Sequence, residues 1–147
     1  MLDDSGVSYQ LVEHAPVYTS EQASEIRKMP QSVGAKALVC IADKQVILIV
    51  VSGDKKVDFK EFKKAFRVKN LCLMTPERVT ELTTLEVGSI PPTGKILDLP
   101  SYYDEVIKDS DTVAFNAGSH THSIIMNTLD LLRLEEPILG NFACSAN

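Results

Sequence analysis

A chain of 147 residues that is 44% hydrophobic and 24% charged can bury one core, and no apolar run approaches the roughly 20 residues of a membrane span; one non-membrane domain over residues 1–147 is expected. A net charge of −5 argues against a protein that wraps a nucleic-acid backbone, so any nucleic-acid contact should be small and local. Three cysteines, Cys40, Cys72 and Cys144, with no CxxC pair argue against a disulfide framework or a cysteine-rich zinc site and read as two core thiols and one in the tail.

The opening "MLDDSGVSYQ" is acidic where a signal peptide is basic, and no apolar stretch follows, so a cytoplasmic protein is expected. Residues 7–14, "VSYQLVEH", alternate as a strand does, and "HAPVYT" closes it with a proline turn. Thr19 or Ser20 can cap a helix over 21–28, whose acidic start and basic end suit the helix dipole, and Pro30 should stop it by Met29. Two β-branched runs, 36–42 and 45–51, flank Asp43–Lys44 and predict a hairpin with a two-residue connection.

Asp58 is placed to cap "FKEFKKAF", in which Phe59, Phe62 and Phe66 form one apolar stripe that reads as core. Residues 71–74 read as a short strand or buried connector, and 76–83 as a helix that starts on proline. "VGSIPPTGKILDLP" breaks regular structure before a short strand at Ile96 to Leu99. "TVAFNAG" and "HSIIM" read as strands, and "TLDLLRL" as a helix capped by Asn127 or Thr128; the tail from 135 gives no clear signal. This mixture implies an α/β or α+β domain on a mixed sheet.

Three places can carry chemistry. Lys36 opens an apolar strand with no Asp or Glu within four residues; it can offer charge to an anionic or carbonyl oxygen in a partly dry pocket, or snorkel to water. In "GSIPPTG", residues 88–94, the end glycines permit positive φ or close approach, and the amides of Ser89 and Ile90 can form an oxyanion hole; a rigid turn would look the same. In "NAGSHTHS", His120 and His122 share one face if the stretch is extended, and His14 is the only histidine left to complete a three-histidine zinc site. No GxSxG elbow, GxGxxG or P-loop is present.

An H-x-P-x-x-T segment (His14, Pro16, Thr19), a K-x-L strand start (Lys36, Leu38), "VDFKEFKKAF" after a hairpin, a G-x-x-x-P loop (Gly88, Pro92) and "FNAGSHTHSIIM" follow one another in this order. Together they resemble the YbaK/EbsC family of aminoacyl-tRNA deacylases, related to the editing insertion domain of bacterial prolyl-tRNA synthetase, over about residues 7 to 134. The resemblance implies a single α/β (α+β) domain with a mixed, barrel-like β-sheet flanked by helices. It also implies metal-free, cofactor-free hydrolysis of a mischarged tRNA, typically alanine or cysteine on tRNA for proline.

By the same resemblance Lys36 lies beside the terminal adenosine and ester, and the loop from Gly88 through Ser89 and Ile90 to Pro92 positions the ester. His14, Thr19, Gly118, His120 and His122 join Pro92 as candidate substrate-binding residues. Lys95 or Arg133 would add positive charge. The implied partner is the CCA end of an aminoacyl-tRNA, with an aminoacyl-tRNA synthetase as a second candidate. Two other readings stay open: a catalytically inactive binding module on the same fold for tRNA, a synthetase or a small ligand, and a three-histidine metallohydrolase.

Overall fold

The structure is a computed structural model and describes residues 8–145. Its elements in chain order are β1 (Tyr9–Glu13), α1 (Ser20–Arg27), a 3-10 turn (Gln31–Val33), β2 (Ala35–Ala42), β3 (Gln45–Ser52), β4 (Lys55–Val57), α2 (Phe59–Phe66), β5 (Leu71–Leu73) and α3 (Pro76–Thr83). There follow α4 (Gly94–Leu97), β6 (Ser101–Asp104), a second 3-10 turn (Glu105–Asp109), β7 (Thr112–Asn116), β8 (His122–Asn127), α5 (Thr128–Glu135), β9 (Ile138–Gly140) and β10 (Ala143–Ser145).

The β2–β3 hairpin organises the molecule. Asp43 and Lys44 both take positive φ, 44° and 75°, the geometry that matches a two-residue turn to strand twist. The Asp43 carboxylate accepts the amides of Lys69 and Asn70 (3.0 and 2.8 Å), tying the turn to the segment before β5. These hydrogen bonds hold the Asp43 carboxyl below its ordinary range.

Strand order in the main sheet is β5-β2-β3-β6-β9, antiparallel on the β5 side of β3 and parallel beyond it. The central strand is buried on both faces. Leu48 and Val50 enter a cluster with Tyr103, Val113 and Phe115, whereas Ile47, Ile49 and Val51 pack with Phe62 and Phe142. Strands β1-β8-β7 form a second, antiparallel sheet, and β10 pairs with β4. The bridge Gly34 to Ala114 joins the start of β2 to β7. The expected mixed α/β domain is present, but its strands divide into sheets of five, three and two, and no closed barrel is seen among the described residues.

Local chemistry explains the helix starts. Thr19 Oγ1 accepts Gln22 N at 3.1 Å, Asp58 accepts Glu61 N, Thr75 accepts Arg78 N, and Asn127 accepts the amides of Leu129 and Asp130. Helix α1 ends where Lys28 turns left-handed (φ 57°), two residues before Pro30.

Two expectations need correction, and the tail, which carried no sequence signal, takes on structure. The strand expected at Ile96–Leu99 is instead the helical turn α4, because the Glu135 carboxylate accepts Lys95 N at 3.2 Å; the strand starts after Pro100. Cys72 is exposed, since β5 is an edge strand. The tail adds two strands, docked by Asp104, whose Oδ2 accepts the amides of Phe142 and Ala143, each at 2.7 Å. Of the strand read over 7–14, Val7 lies outside the described residues.

Candidate active site

Where β2 meets β7, a cleft of about 150 Å³ opens. Its walls are α1 (Ala23, Ser24, Arg27) with the Tyr18–Thr19 approach, the start of β2 (Ala35 to Leu38), Gly53, the loop residues Val87, Gly88 and Ile90, and Ala114 and Asn116 of β7. Such a volume admits roughly one benzene-sized group.

Lys36 enters from β2, where it pairs with Val51. Burial depresses its pKa by disfavouring the ammonium, and the Asp54 carboxylate opposes that shift. The sequence neighbourhood of Lys36 is free of acids, but the β3–β4 turn brings Asp54 to it in space. Lys36 is therefore a cation in a partly dry site, where charge acts more strongly than in water.

Gly88 takes φ 91°, the left-handed region that glycine enters at least cost. A Cβ there would also stand 3.3 Å from His120 Cε1. The Gly88 carbonyl accepts Asn116 Nδ2 at 2.6 Å, Asn116 Oδ1 accepts Arg27 Nη2 at 3.0 Å, and Arg27 Nε donates to Ser123 Oγ at 2.9 Å. Beyond Ser123 stands His14, with Nε2 2.7 Å from the hydroxyl and Nδ1 2.8 Å from the Ala15 carbonyl. Because a carbonyl only accepts, Nδ1 carries a proton, and in the neutral imidazole the Ser123 hydroxyl then donates to Nε2 while accepting from Arg27. The relay His14–Ser123–Arg27–Asn116 thus fixes the direction of the Gly88 carbonyl.

Arg27 was not a sequence candidate; at the end of α1 it read as a complement to the helix dipole. In the fold it turns inward, and burial lowers its pKa to about 10. Asn116 was visible in "FNAG" without a role. The spacing from Arg27 to Asn116 and Ser123 is long-range, so no local pattern announced the relay.

Of the sequence candidates, Lys36, Thr19, Gly88 and Ile90 line the cleft together. Ser89, Pro92, Gly118, His14, His120 and His122 do not. The Ser89 amide and hydroxyl both donate to the Glu86 carbonyl (3.0 and 2.7 Å), so Ser89 shapes the loop and its amide is spent; the amides of Gly88 and Ile90 have no protein acceptor among the described residues. Pro92 is buried, its carbonyl accepting the Tyr103 hydroxyl. Gly118 (φ 79°) donates its amide to the Ser89 carbonyl at 3.0 Å.

His120 and His122 do not act as a pair. His122 opens β8, but His120 lies in the bend before it, where period-two geometry does not hold. His120 bridges Val17 O (3.0 Å) and Glu86 Oε2 (3.1 Å) beneath the Tyr18 ring, with centroids 4.6 Å apart, and so clasps the Gly88 loop from outside. His122 contacts Thr121 Oγ1 at 2.9 Å and is half-exposed. Among the described residues no three His, Cys, Asp or Glu side chains converge as a metal site would require. Lys95 and Arg133 also stand apart, paired with Glu136 and Asp130. The second cation of the cleft is Arg27.

The profile of the aminoacyl-tRNA editing domain matches residues 14–134. The multifunctional Ser/Thr-tRNA deacylase ProXp-y of Escherichia coli (strain K12) is 33% identical over 151 residues, covering 99% of this chain and 90% of that protein. The prolyl-tRNA editing protein ProX of Acetoanaerobium sticklandii is 24% identical over 139 residues, 90% of this chain and 85% of that one. A solved structure described as a candidate trans-editing enzyme for prolyl-tRNA synthetase superposes with a TM-score of 0.84 at 25% identity, over 93% of this chain and 87% of that one. The profile covers residues 14–134 and the 33% identical relative aligns with 99% of the chain; the chain belongs to the YbaK-type aminoacyl-tRNA editing domain family.

Proposed function

We propose that this aminoacyl-tRNA deacylase acts in trans, as a free-standing cytoplasmic hydrolase that removes a small, wrongly attached amino acid from tRNA. The observation that carries the reading is the meeting of Lys36 with a glycine loop, its carbonyl direction fixed by the relay, in one small cleft. Water attacks the ester carbonyl, a C–O bond forms as the ester C–O bond breaks, and the ribose oxygen leaves with a proton from that water. An aminoacyl ester is already activated, so the site has chiefly to orient water and stabilise charge on the carbonyl oxygen. The Lys36 ammonium and the free amides of Gly88 and Ile90 serve that charge. No metal enters this scheme. Beside the cleft, an apolar pocket of about 310 Å³ that shares Ala37, Leu38, Val87 and Ile90 offers the terminal base a dry surface.

The substrate expected from the sequence was alanine or cysteine on tRNA for proline. The cleft adds Thr19, Ser24, Gln31 and Asn116 to its two cations, each of these four already hydrogen-bonded within the protein. Serine or threonine ranks first on the name of the 33% identical relative, a Ser/Thr-tRNA deacylase.

The test is release of free amino acid from tRNAs charged with serine, threonine, alanine and cysteine. Seryl- or threonyl-tRNA should be cleared fastest; faster alanyl or cysteinyl release would restore the earlier expectation. Binding of every charged tRNA without release would favour the inactive module instead. Lys36→Ala should lower kcat by about 10²- to 10³-fold, the usual loss when one charge-stabilising donor is removed, with the fold intact by circular dichroism. Full activity in that variant would remove the lysine from the mechanism.

A further inference from the structure

The net charge of −5 hides a strong separation. Residues 55–69 hold seven of the 15 Lys and Arg and only two of the 20 acidic residues, a balance of +5, and leave the rest of the chain at −10. Within this segment the fold sorts side chains by face. Phe62 of α2 is fully buried, with Phe59 and Phe66 packed around it, while Lys60, Lys63, Lys64 and Arg67 recur at the spacing that places them along one outer stripe. Lys60, Lys64 and Arg67 are exposed, and Lys63 is half-exposed.

At ~1.5 Å rise per residue the stripe runs about 10 Å along the helix. Among the described residues only Lys64 of this group has an ion pair, with Glu61 at 3.9 Å, and both partners are well exposed, so the pair does little to neutralise the face. Cations near the end of α2 complement its dipole, but that does not account for Lys55, Lys56 and Lys60.

This face begins at the rim of the cleft. Gly53 lines the cleft, and the basic strand β4 starts at Lys55, just past the Gly53–Asp54 turn. A row of cations with one weak, exposed ion pair among them, on an otherwise acidic protein, fits a polyanion. A lipid surface fits poorly, since the apolar side of α2 is consumed by the core and cannot enter a membrane.

We propose that the β4–α2 face, through Lys56, Lys60, Lys64 and Arg67, binds the phosphodiester backbone of the tRNA whose 3′ end occupies the cleft. This rests on the deacylase reading of the cleft. It enlarges the nucleic-acid contact from one pocket to a surface, without requiring a basic protein.

The test compares the wild-type chain with the triple variant Lys60→Glu, Lys64→Glu, Arg67→Glu, none of which touches the cleft. Uncharged tRNA binding is followed by fluorescence anisotropy between about 50 and 200 mM salt, and hydrolysis is measured on a minimal aminoacyl-adenosine ester. Each lost phosphate contact should remove ~0.9 from the slope of log affinity against log salt, so the slope should fall by about 2 to 3 and Kd rise more than roughly tenfold. Ester hydrolysis should stay within about twofold of wild type, which also certifies the fold. The neutral triple Lys60→Gln, Lys64→Gln, Arg67→Gln should move affinity in the same direction by less.

Unchanged tRNA affinity and slope would overturn the proposal, as would equal loss on the minimal ester, or stronger binding to phosphatidylserine vesicles than to tRNA. If the wild type cleaves no ester while the variant still loses tRNA affinity, the surface stands and the deacylase reading falls.

Discussion

The aromatic layer beneath α2 and the cleft at the start of β2 are held by opposite kinds of force. Phe62 meets Phe142 edge-on at 4.9 Å and Phe66 at a tilt at 4.8 Å, against Ile47, Ile49 and Val51, all of them side chains that make no hydrogen bond. The cleft is held by directed contacts: a guanidinium fork, an amide with both ends engaged, and one glycine carbonyl aimed by them. Apolar packing resists loss of volume but is indifferent to direction, whereas the relay sets a direction and contributes little volume. Damage to the first region should therefore be read as lost stability, and damage to the second as lost turnover.

The largest effect expected from that contrast is Phe62→Ala. Removing a fully buried phenylalanine should cost about 3–5 kcal/mol in denaturant unfolding. The kcat per folded molecule should remain within about twofold of wild type. A fall in kcat as deep as that of Lys36→Ala would show that the layer also tunes the cleft and would erase the distinction.

Arg27→Lys probes the other region. Lysine keeps the charge but has no planar fork, so it cannot serve Ser123 and Asn116 together, and the Gly88 carbonyl loses its fixed direction. A tenfold to hundredfold fall in kcat is expected, about 1.4 to 2.8 kcal/mol in the barrier, with KM little changed. A variant that raises KM while sparing kcat would make Arg27 a binding group and not a positioning one.

The same contrast explains what could be read from the sequence. Capping by Thr19, Asp58 and Asn127, the Asp43–Lys44 turn and the phenylalanine stripe are decided by residues a few positions apart, and each formed where local chemistry put it. Lys36 and the Gly88 loop, which line one cleft, stood out as candidates because an acid-free lysine and spaced glycines are local signals too.

Features set by distant partners were not legible. Arg27 finds its acceptors 89 and 96 residues away, Glu135 recasts Ile96–Leu97 as helix from 40 residues downstream, and Asp104 captures the tail. The adjacent histidines misled because their pairing assumed an extended backbone across a bend. The +5 segment was in plain sight, but one net charge for the whole chain averaged it away.

The smallest effect is the most discriminating, because it gives activity and stability opposite signs. Burial lowers the Lys36 pKa, so in the folded protein its ammonium is lost at a lower pH than the ordinary 10.5. If that charge serves the reaction, kcat must fall as pH rises through the lowered value. Stability must move the other way. Between the folded value and 10.5 the unfolded chain holds the proton that the folded chain has released, so unfolding free energy rises with pH across that window. Asp54 favours the ammonium, and Asp54→Asn should therefore shift the alkaline limb of kcat to still lower pH while leaving the plateau nearly unchanged. Added salt should mimic part of that shift, since Lys36 is only half-buried and the pair is open to screening. A limb that stays in place in Asp54→Asn, measured after subtraction of spontaneous ester hydrolysis, would assign it to the substrate's own amino group and leave Lys36 a binding role alone.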